Sequence, residues 1–161
     1  MSESDDIRPG EIAVEAPPPD DARLRFIGRC VTPFAERKDC PRQGRLDGPE
    51  CRLEIFAPWG RALDGIEAFE TLDVLYWLDR SRRDLVLQSP KSDGGLRGTF
   101  SLRSPVRPNP IGLARVRLVR REGDTLVVRG LDCLNGTPLV DIKPDRCAFS
   151  VQAPPKAADR C

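Results

Sequence analysis

Residues 104–112 read Ser-Pro-Val-Arg-Pro-Asn-Pro-Ile-Gly, placing an arginine and an asparagine among three prolines. Each proline fixes its own φ and drives the preceding residue to extended geometry, so Ser104, Arg107 and Asn109 suit neither a helix nor a central strand. The segment is expected to be a rigid extended loop that holds Arg107 and Asn109 in fixed directions, with Gly112 letting the backbone pass close to a neighbour. Rigidity set before binding removes an ordering cost of roughly 1–2 kcal/mol per backbone residue. A binding loop, a structural crossover and a Pro-x-x-Pro ligand for a partner domain all fit these residues, although the last sits more naturally in a tail than between strands. Two further turns, Cys40-Pro41-Arg42-Gln43-Gly44 and Asn135-Gly136-Thr137-Pro138, are ordinary turn chemistry when taken singly. The glycines of 93–98 lack the spacing and the βαβ setting of a phosphate cradle and read as a flexible loop.

What is missing narrows the chemistry further. The chain contains no histidine, which excludes Ser-His-Asp and Cys-His catalysis and histidine-bound metals. Six cysteines (Cys30, Cys40, Cys51, Cys133, Cys147, Cys161) form no Cys-x-x-Cys pair, so structural zinc is not expected. They read as reduced and mostly as small core residues. The first 22 residues carry seven acids against one base, a local charge of −6, which leaves about +7 on the remainder. Residues 97–121 hold seven arginines and no acid, either a surface for an anionic partner such as RNA or a solvated strand face. With no export signal and no apolar run long enough to span a bilayer, a soluble cytoplasmic protein is expected.

These residues need a scaffold, and the 161-residue chain is long enough for one domain. Residues 1–22 read as a disordered acidic tail, 23–150 as the folded unit and 151–161 as a flexible C-terminal tail. Strand patterns dominate: 24–31, 51–56, 73–79, 84–89, 99–104, 113–119 and 125–134, with a hairpin turn at 121–124. Leu63, Ile66, Phe69 and Leu72 recur at three-residue spacing and predict one short helix over 61–72. The fold class expected is mostly β, a single-domain antiparallel β-barrel with one or two short helices.

In order along the chain, CPRQG, FSLRSPVRPNPIGLARVRL and GLDCLNGTPLVDIKPD resemble the TrmO family, also called YaeB, TsaA-like or VirR, from about Ile27 through Asp145. The resemblance implies a barrel without a Rossmann fold that forms a homodimer and binds S-adenosylmethionine. It implies methylation of N6-threonylcarbamoyladenosine 37 in tRNA. In the family pattern the cofactor is held by Pro41, Arg42 and Gln43, by Arg103, by Leu113, and by Gly136, Thr137, Pro138 and Leu139. Asp79 and Arg80 follow in the same pattern, with Asp79 standing where the family has a histidine. A second family histidine is replaced near Thr71, and Asn135 stands where an aspartate is usual.

A sulfonium methyl donor is already activated, so the protein's main task is in-line placement, where proximity supplies on the order of 7–11 kcal/mol at best. If a side chain removes a proton from the acceptor nitrogen, Asp79 and Asp141 are the catalytic candidates. RNA contacts are assigned to Arg97, Arg107, Asn109, Arg115 and Arg117. Tyr76 and Trp77 could stack on a base or sit in the core. No metal is expected. The alternatives to a threonylcarbamoyladenosine methyltransferase are a cofactor-binding module without methyl transfer and a methyltransferase with another substrate.

Overall fold

A computed structural model describes residues 7–91 and 94–145. The expected C-terminal tail, Cys147, Cys161 and Asp93 of the glycine loop lie outside the described residues. Nine strands are present among those described: β1 (Ile12–Ala13), β2 (Gly28–Val31), β3 (Glu50–Ile55), β4 (Thr71–Trp77), β5 (Leu85–Gln88), β6 (Arg97–Gly98), β7 (Ile111–Glu122), β8 (Thr125–Arg129) and β9 (Thr137–Pro144). The chain divides into two compact units, Phe26–Tyr76 with Leu113–Cys161, and Met1–Arg25 with Trp77–Gly112.

The first unit carries the closed barrel, in the order β2-β3-β8-β7-β4-β9. Neighbouring strands run antiparallel, with Cys30 opposite Leu53 and Leu53 opposite Leu126. The period-two pattern sends Cys51, Leu53, Leu72, Val74, Val116, Leu126, Val128 and Leu139 inward, all nearly fully buried. Arg115 and Arg117 face outward from β7, with Val116 inward between them. The expected antiparallel barrel is therefore present, and the turn at 121–124 is the β7–β8 hairpin.

Local departures have local causes. The helix expected over 61–72 is replaced by two 3-10 turns, Trp59–Leu63 and Ile66–Ala68, because Gly65 lies between them at φ 88°. Leu72, the last residue of that periodic pattern, is a buried strand residue of β4. The first barrel strand begins at Gly28 rather than residue 24, leaving Leu24 and Phe26 exposed. β8 stops at Arg129 instead of running to 134 because Gly130, at φ 122°, turns the chain.

The second unit contains the small sheet β1-β5-β6. Residues 1–22 read as a disordered tail, yet within them Ile12–Ala13 pair with β5. Hydrogen bonding offsets what composition predicts: the Glu11 carboxylate accepts from the Ser89 and Arg8 amides at 2.8 and 3.0 Å, and the Val14 amide donates to the Asp84 carbonyl. The strand expected over 99–104 is a 3-10 turn, Thr99–Ser101. Its Thr99 hydroxyl is buried and donates to the Leu85 carbonyl at 2.6 Å, which turns Phe100 out to 82 % exposure.

Candidate functional site

In the second unit the proline-rich loop is fixed by anchors from three places. The Gln88 side-chain amide, buried at the end of β5, donates to the Val106 carbonyl at 2.8 Å and to the Thr99 hydroxyl at 2.9 Å. Arg83 Nε donates to the Pro108 carbonyl at 2.6 Å, and the Leu78 amide donates to the Pro110 carbonyl at 2.8 Å. A proline offers no amide of its own, so these donors, two from side chains and one from the backbone, take over the holding that a ladder would otherwise provide. The segment is tied down at several points, but it bends at Pro105 and over residues 107–109 rather than running extended throughout.

The two polar side chains on it do different things. Arg107 turns back and donates from Nη1 to the Leu102 and Ser104 carbonyls at 3.0 and 2.9 Å. Nη1 of Arg107 thus serves as an internal staple across the loop. Asn109 is exposed, and its Oδ1 accepts from Arg83 Nη2 at 3.4 Å. Arg103, Arg97, Asp79 and Arg80 are also exposed on this unit. Trp77 is half-buried, with the Arg83 guanidinium 5.2 Å from its ring centre.

In the barrel unit the Gly136-Thr137-Pro138-Leu139 turn is pinned to β2. The Gly136 amide donates to the Cys30 carbonyl at 2.8 Å, and Gly136 itself sits at φ 84°, a conformation that favours glycine. Asn135 Oδ1 accepts from the Thr32 amide at 3.1 Å, an oxygen's role that the aspartate usual here could equally fill. The Thr137 hydroxyl donates to the Leu134 carbonyl at 2.7 Å, and Leu139 is buried as a β9 residue.

The other cofactor-pattern segment, Pro41-Arg42-Gln43, is exposed. It follows a 3-10 turn, Arg37–Asp39, closed by a bond from the Glu36 amide to Asp39. Gly44, next in the chain, packs against the Gly130 carbonyl so closely that a methyl group there would overlap it. Burial, Cys133 and Asp132 push the Cys40 thiol up. These interactions place the start of CPRQG beside the segment that leads to the Gly136 turn.

Leu113 is 49 % exposed, available as an apolar contact. Arg115 donates to Asp73 at 3.0 and 3.3 Å and lies 3.5 Å from Asp145, so its charge is matched within the barrel. Arg117 is exposed. Asp141 accepts from the Ile142 amide and pairs with Lys143 at 3.2 Å. Arg120 and Arg121 complete the run: Arg120 pairs with Glu122 and Glu50, and Arg121 with Asp64 and Glu67.

Tyr76 belongs to the core, its hydroxyl donating to the Asp132 carboxylate. Burial first, then Asp132, pushes the Tyr76 phenol far above its usual range. The Cys30 thiol is raised by its hydrogen bond to Cys133 and by burial, and burial pushes Cys51 up to about 11. The buried Cys30 and Cys51 thiols, held protonated, are packing groups, as expected, and Cys133 is buried too. No cluster of three acidic, cysteine or histidine side chains is placed to hold a metal among the described residues.

Arg83, Gln88 and Asp73 escape sequence reading. Gln88 carries a trace of signal, a polar residue ending an apolar strand at an inward position. Arg83 lies in an Arg-Ser-Arg-Arg turn that reads as solvated charge, and Asp73 acquires meaning only from the neighbour that pairing brings.

Comparison with known proteins gives consistent matches. The family model described as the tRNA-methyltransferase O N-terminal domain matches residues 29–148. A Rhizobium radiobacter protein named probable S-adenosyl-L-methionine-binding protein VirR is 55% identical over 148 residues, covering 92% of this chain and 85% of the relative. The human tRNA (adenine(37)-N6)-methyltransferase is 32% identical over 126 residues, 73% of this chain but 29% of that protein. The crystal structure of TrmO from Pseudomonas aeruginosa superposes with a TM-score of 0.63 at 30% identity, over 81% of this chain and 61% of that one. The chain thus spans less than two thirds of the length of that structure.

Proposed function

Because the chain belongs to the tRNA-methyltransferase O family, we propose that it transfers a methyl group from S-adenosylmethionine to N6 of threonylcarbamoyladenosine 37 in tRNA. The observation that carries this is that the family match, residues 29–148, takes in β3 to β9, both turns of the cofactor pattern and the proline-rich loop. Scaffold and motifs therefore belong to one matched segment. The human relative's name, tRNA (adenine(37)-N6)-methyltransferase, supports the base and the atom; the threonylcarbamoyl group comes from the family resemblance.

The exposed residues fit the cofactor. Arg42 and Gln43 offer donors to its carboxylate and adenine acceptors, and Leu113 offers apolar contact. The Gly136–Leu139 turn brings fixed backbone close to a ligand. Together with Pro41 these are the proposed cofactor-holding residues of the barrel unit; in the other unit they are Asp79, Arg80 and Arg103. When bound, the cofactor supplies a methyl group on a positively charged sulfur that needs no further activation. The protein's own residues then orient, and none needs a histidine. Asp79 is the candidate proton acceptor, since it is exposed while Asp141 is tied to Lys143. Arg97 and Arg117 are proposed phosphate contacts, whereas Arg107 and Arg115 serve the framework. A cytoplasmic homodimer completes the reading, and light scattering on the purified chain tests the stoichiometry.

The function is tested by incubating the purified protein with S-adenosylmethionine carrying a labelled methyl group and tRNA that bears threonylcarbamoyladenosine. Digestion to nucleosides should give label in methylated threonylcarbamoyladenosine. Cofactor binding by calorimetry with no labelled nucleoside would leave the chain a binding module and refute the proposal.

A further inference from the structure

Two polar side chains stand on the proline-rich loop, and their surroundings separate their roles. Arg107 spends donors on the Leu102 and Ser104 carbonyls. Asn109 is exposed, with its Oδ1 accepting from Arg83 Nη2. Arg83 is itself fixed from two other sides, by Nε on the Pro108 carbonyl at 2.6 Å and by the Trp77 ring 5.2 Å away.

A guanidinium has donors and no acceptor, so only the oxygen end of the Asn109 amide can face it. The Nδ2 end, with two N–H donors, is left facing away from Arg83. Pro108 and Pro110 restrict the backbone on both sides of Asn109, so the direction of those donors depends on its side-chain torsions. The terminal torsion of an asparagine is broad on its own, and Arg83 narrows it.

We propose that Asn109 presents its Nδ2 amide as a hydrogen-bond donor to an acceptor on the tRNA substrate, and that Arg83 is the positioning residue that aims it. The acceptor is an oxygen of the carbamoyl substituent or a ring nitrogen on the edge of the base. The proposal rests on the tRNA reading above and assigns the substrate-facing group within it.

Asn109→Asp separates the two functions of the amide. A carboxylate of the same shape accepts from Arg83 at least as well, yet it has no donor. Wild type, Asn109→Asp, Asn109→Ala, Arg83→Met and Arg83→Lys are compared for affinity toward tRNA with and without the threonylcarbamoyl group, at low and high salt, with thermal melting as the check on folding. Asn109→Asp should melt like wild type and bind tRNA about tenfold more weakly, close to Asn109→Ala. That deficit should persist at high salt, where a mere repulsion between charges is screened. Arg83→Met should weaken binding about threefold and raise KM more than it lowers kcat, with partial recovery in Arg83→Lys.

A loss confined to tRNA carrying the substituent puts the acceptor on that substituent, and an equal loss on both tRNAs puts it on the base edge. Asn109→Asp binding both tRNAs as wild type does, or a deficit that vanishes with salt, overturns the proposal. A wild-type protein that binds tRNA without transferring methyl refutes the activity proposed above, and the affinity comparison still decides the role of Asn109. A wild type that binds no tRNA overturns both.

Discussion

Arg103 and Arg107 lie four residues apart, and what surrounds each decides its use. Arg107 has two loop carbonyls within hydrogen-bonding distance; Arg103 is exposed and is the one proposed to meet the cofactor. A hydrogen bond to a charged group is worth about 1.5–3 kcal/mol. Arg103→Ala should therefore weaken S-adenosylmethionine binding by about tenfold or more in calorimetry, and an unchanged affinity would remove it from the site. The cysteines give a second outcome at this scale. Cys30 and Cys51 are buried with thiols pushed up, Cys51 to about 11. Both should resist alkylation by iodoacetamide at pH 8 in the native protein and react fully once unfolded, as read by mass spectrometry. Fast native labelling of either would contradict the packing role.

At the scale of elements, close approach and pinning matter more than propensity. Gly44 meets the Gly130 carbonyl with no room for a methyl group. Gly44→Ala should cost about 1–3 kcal/mol of stability or displace the Pro41-Arg42-Gln43 segment, which chemical denaturation and cofactor titration distinguish. β1 is held by Glu11: burial works against its charged form, but the Ser89 and Arg8 amides and the Arg8 and Arg82 charges hold its pKa below the ordinary 4.5. A carboxylate lowered on folding stabilises above its unfolded pKa and loses that contribution as pH falls through the folded value. Protection of the Ser89 amide from hydrogen exchange should accordingly hold above pH 4.5 and weaken only below it. The barrel strands were legible because alternation such as Cys51, Leu53, Ile55 records which face is buried. β1 was not, since two residues carry no period and their docking depends on Glu11 meeting Ser89, 78 residues away. The apparent helix over 61–72 failed for a related reason: three-residue spacing fits 3-10 turns as well, and Gly65 divides them.

Across the molecule, composition counts a net positive charge on residues 23–161, but among the described residues of the barrel unit several of these arginines are paired. Arg29 pairs with Glu54, Arg52 with Glu122, Arg120 with Glu50 and Glu122, and Arg129 with Glu50. Exposed pairs of this kind add little stability, but they mask arginines that composition alone counts toward RNA. Arg117→Ala should then reduce the salt dependence of tRNA affinity by about one unit of slope, whereas Arg120→Ala should leave the slope nearly unchanged. The motif turns were legible through their resemblance to a family, and the barrel through its periodicity. The partners of Arg107, Arg115 and Asn109 were not, because each is supplied by the folded backbone or by a residue distant in sequence. Whether this histidine-free barrel methylates tRNA is decided by mass spectrometry of tRNA nucleosides from a strain lacking the gene. Methylated N6-threonylcarbamoyladenosine should disappear there and its unmethylated precursor accumulate; an unchanged nucleoside profile would refute the activity.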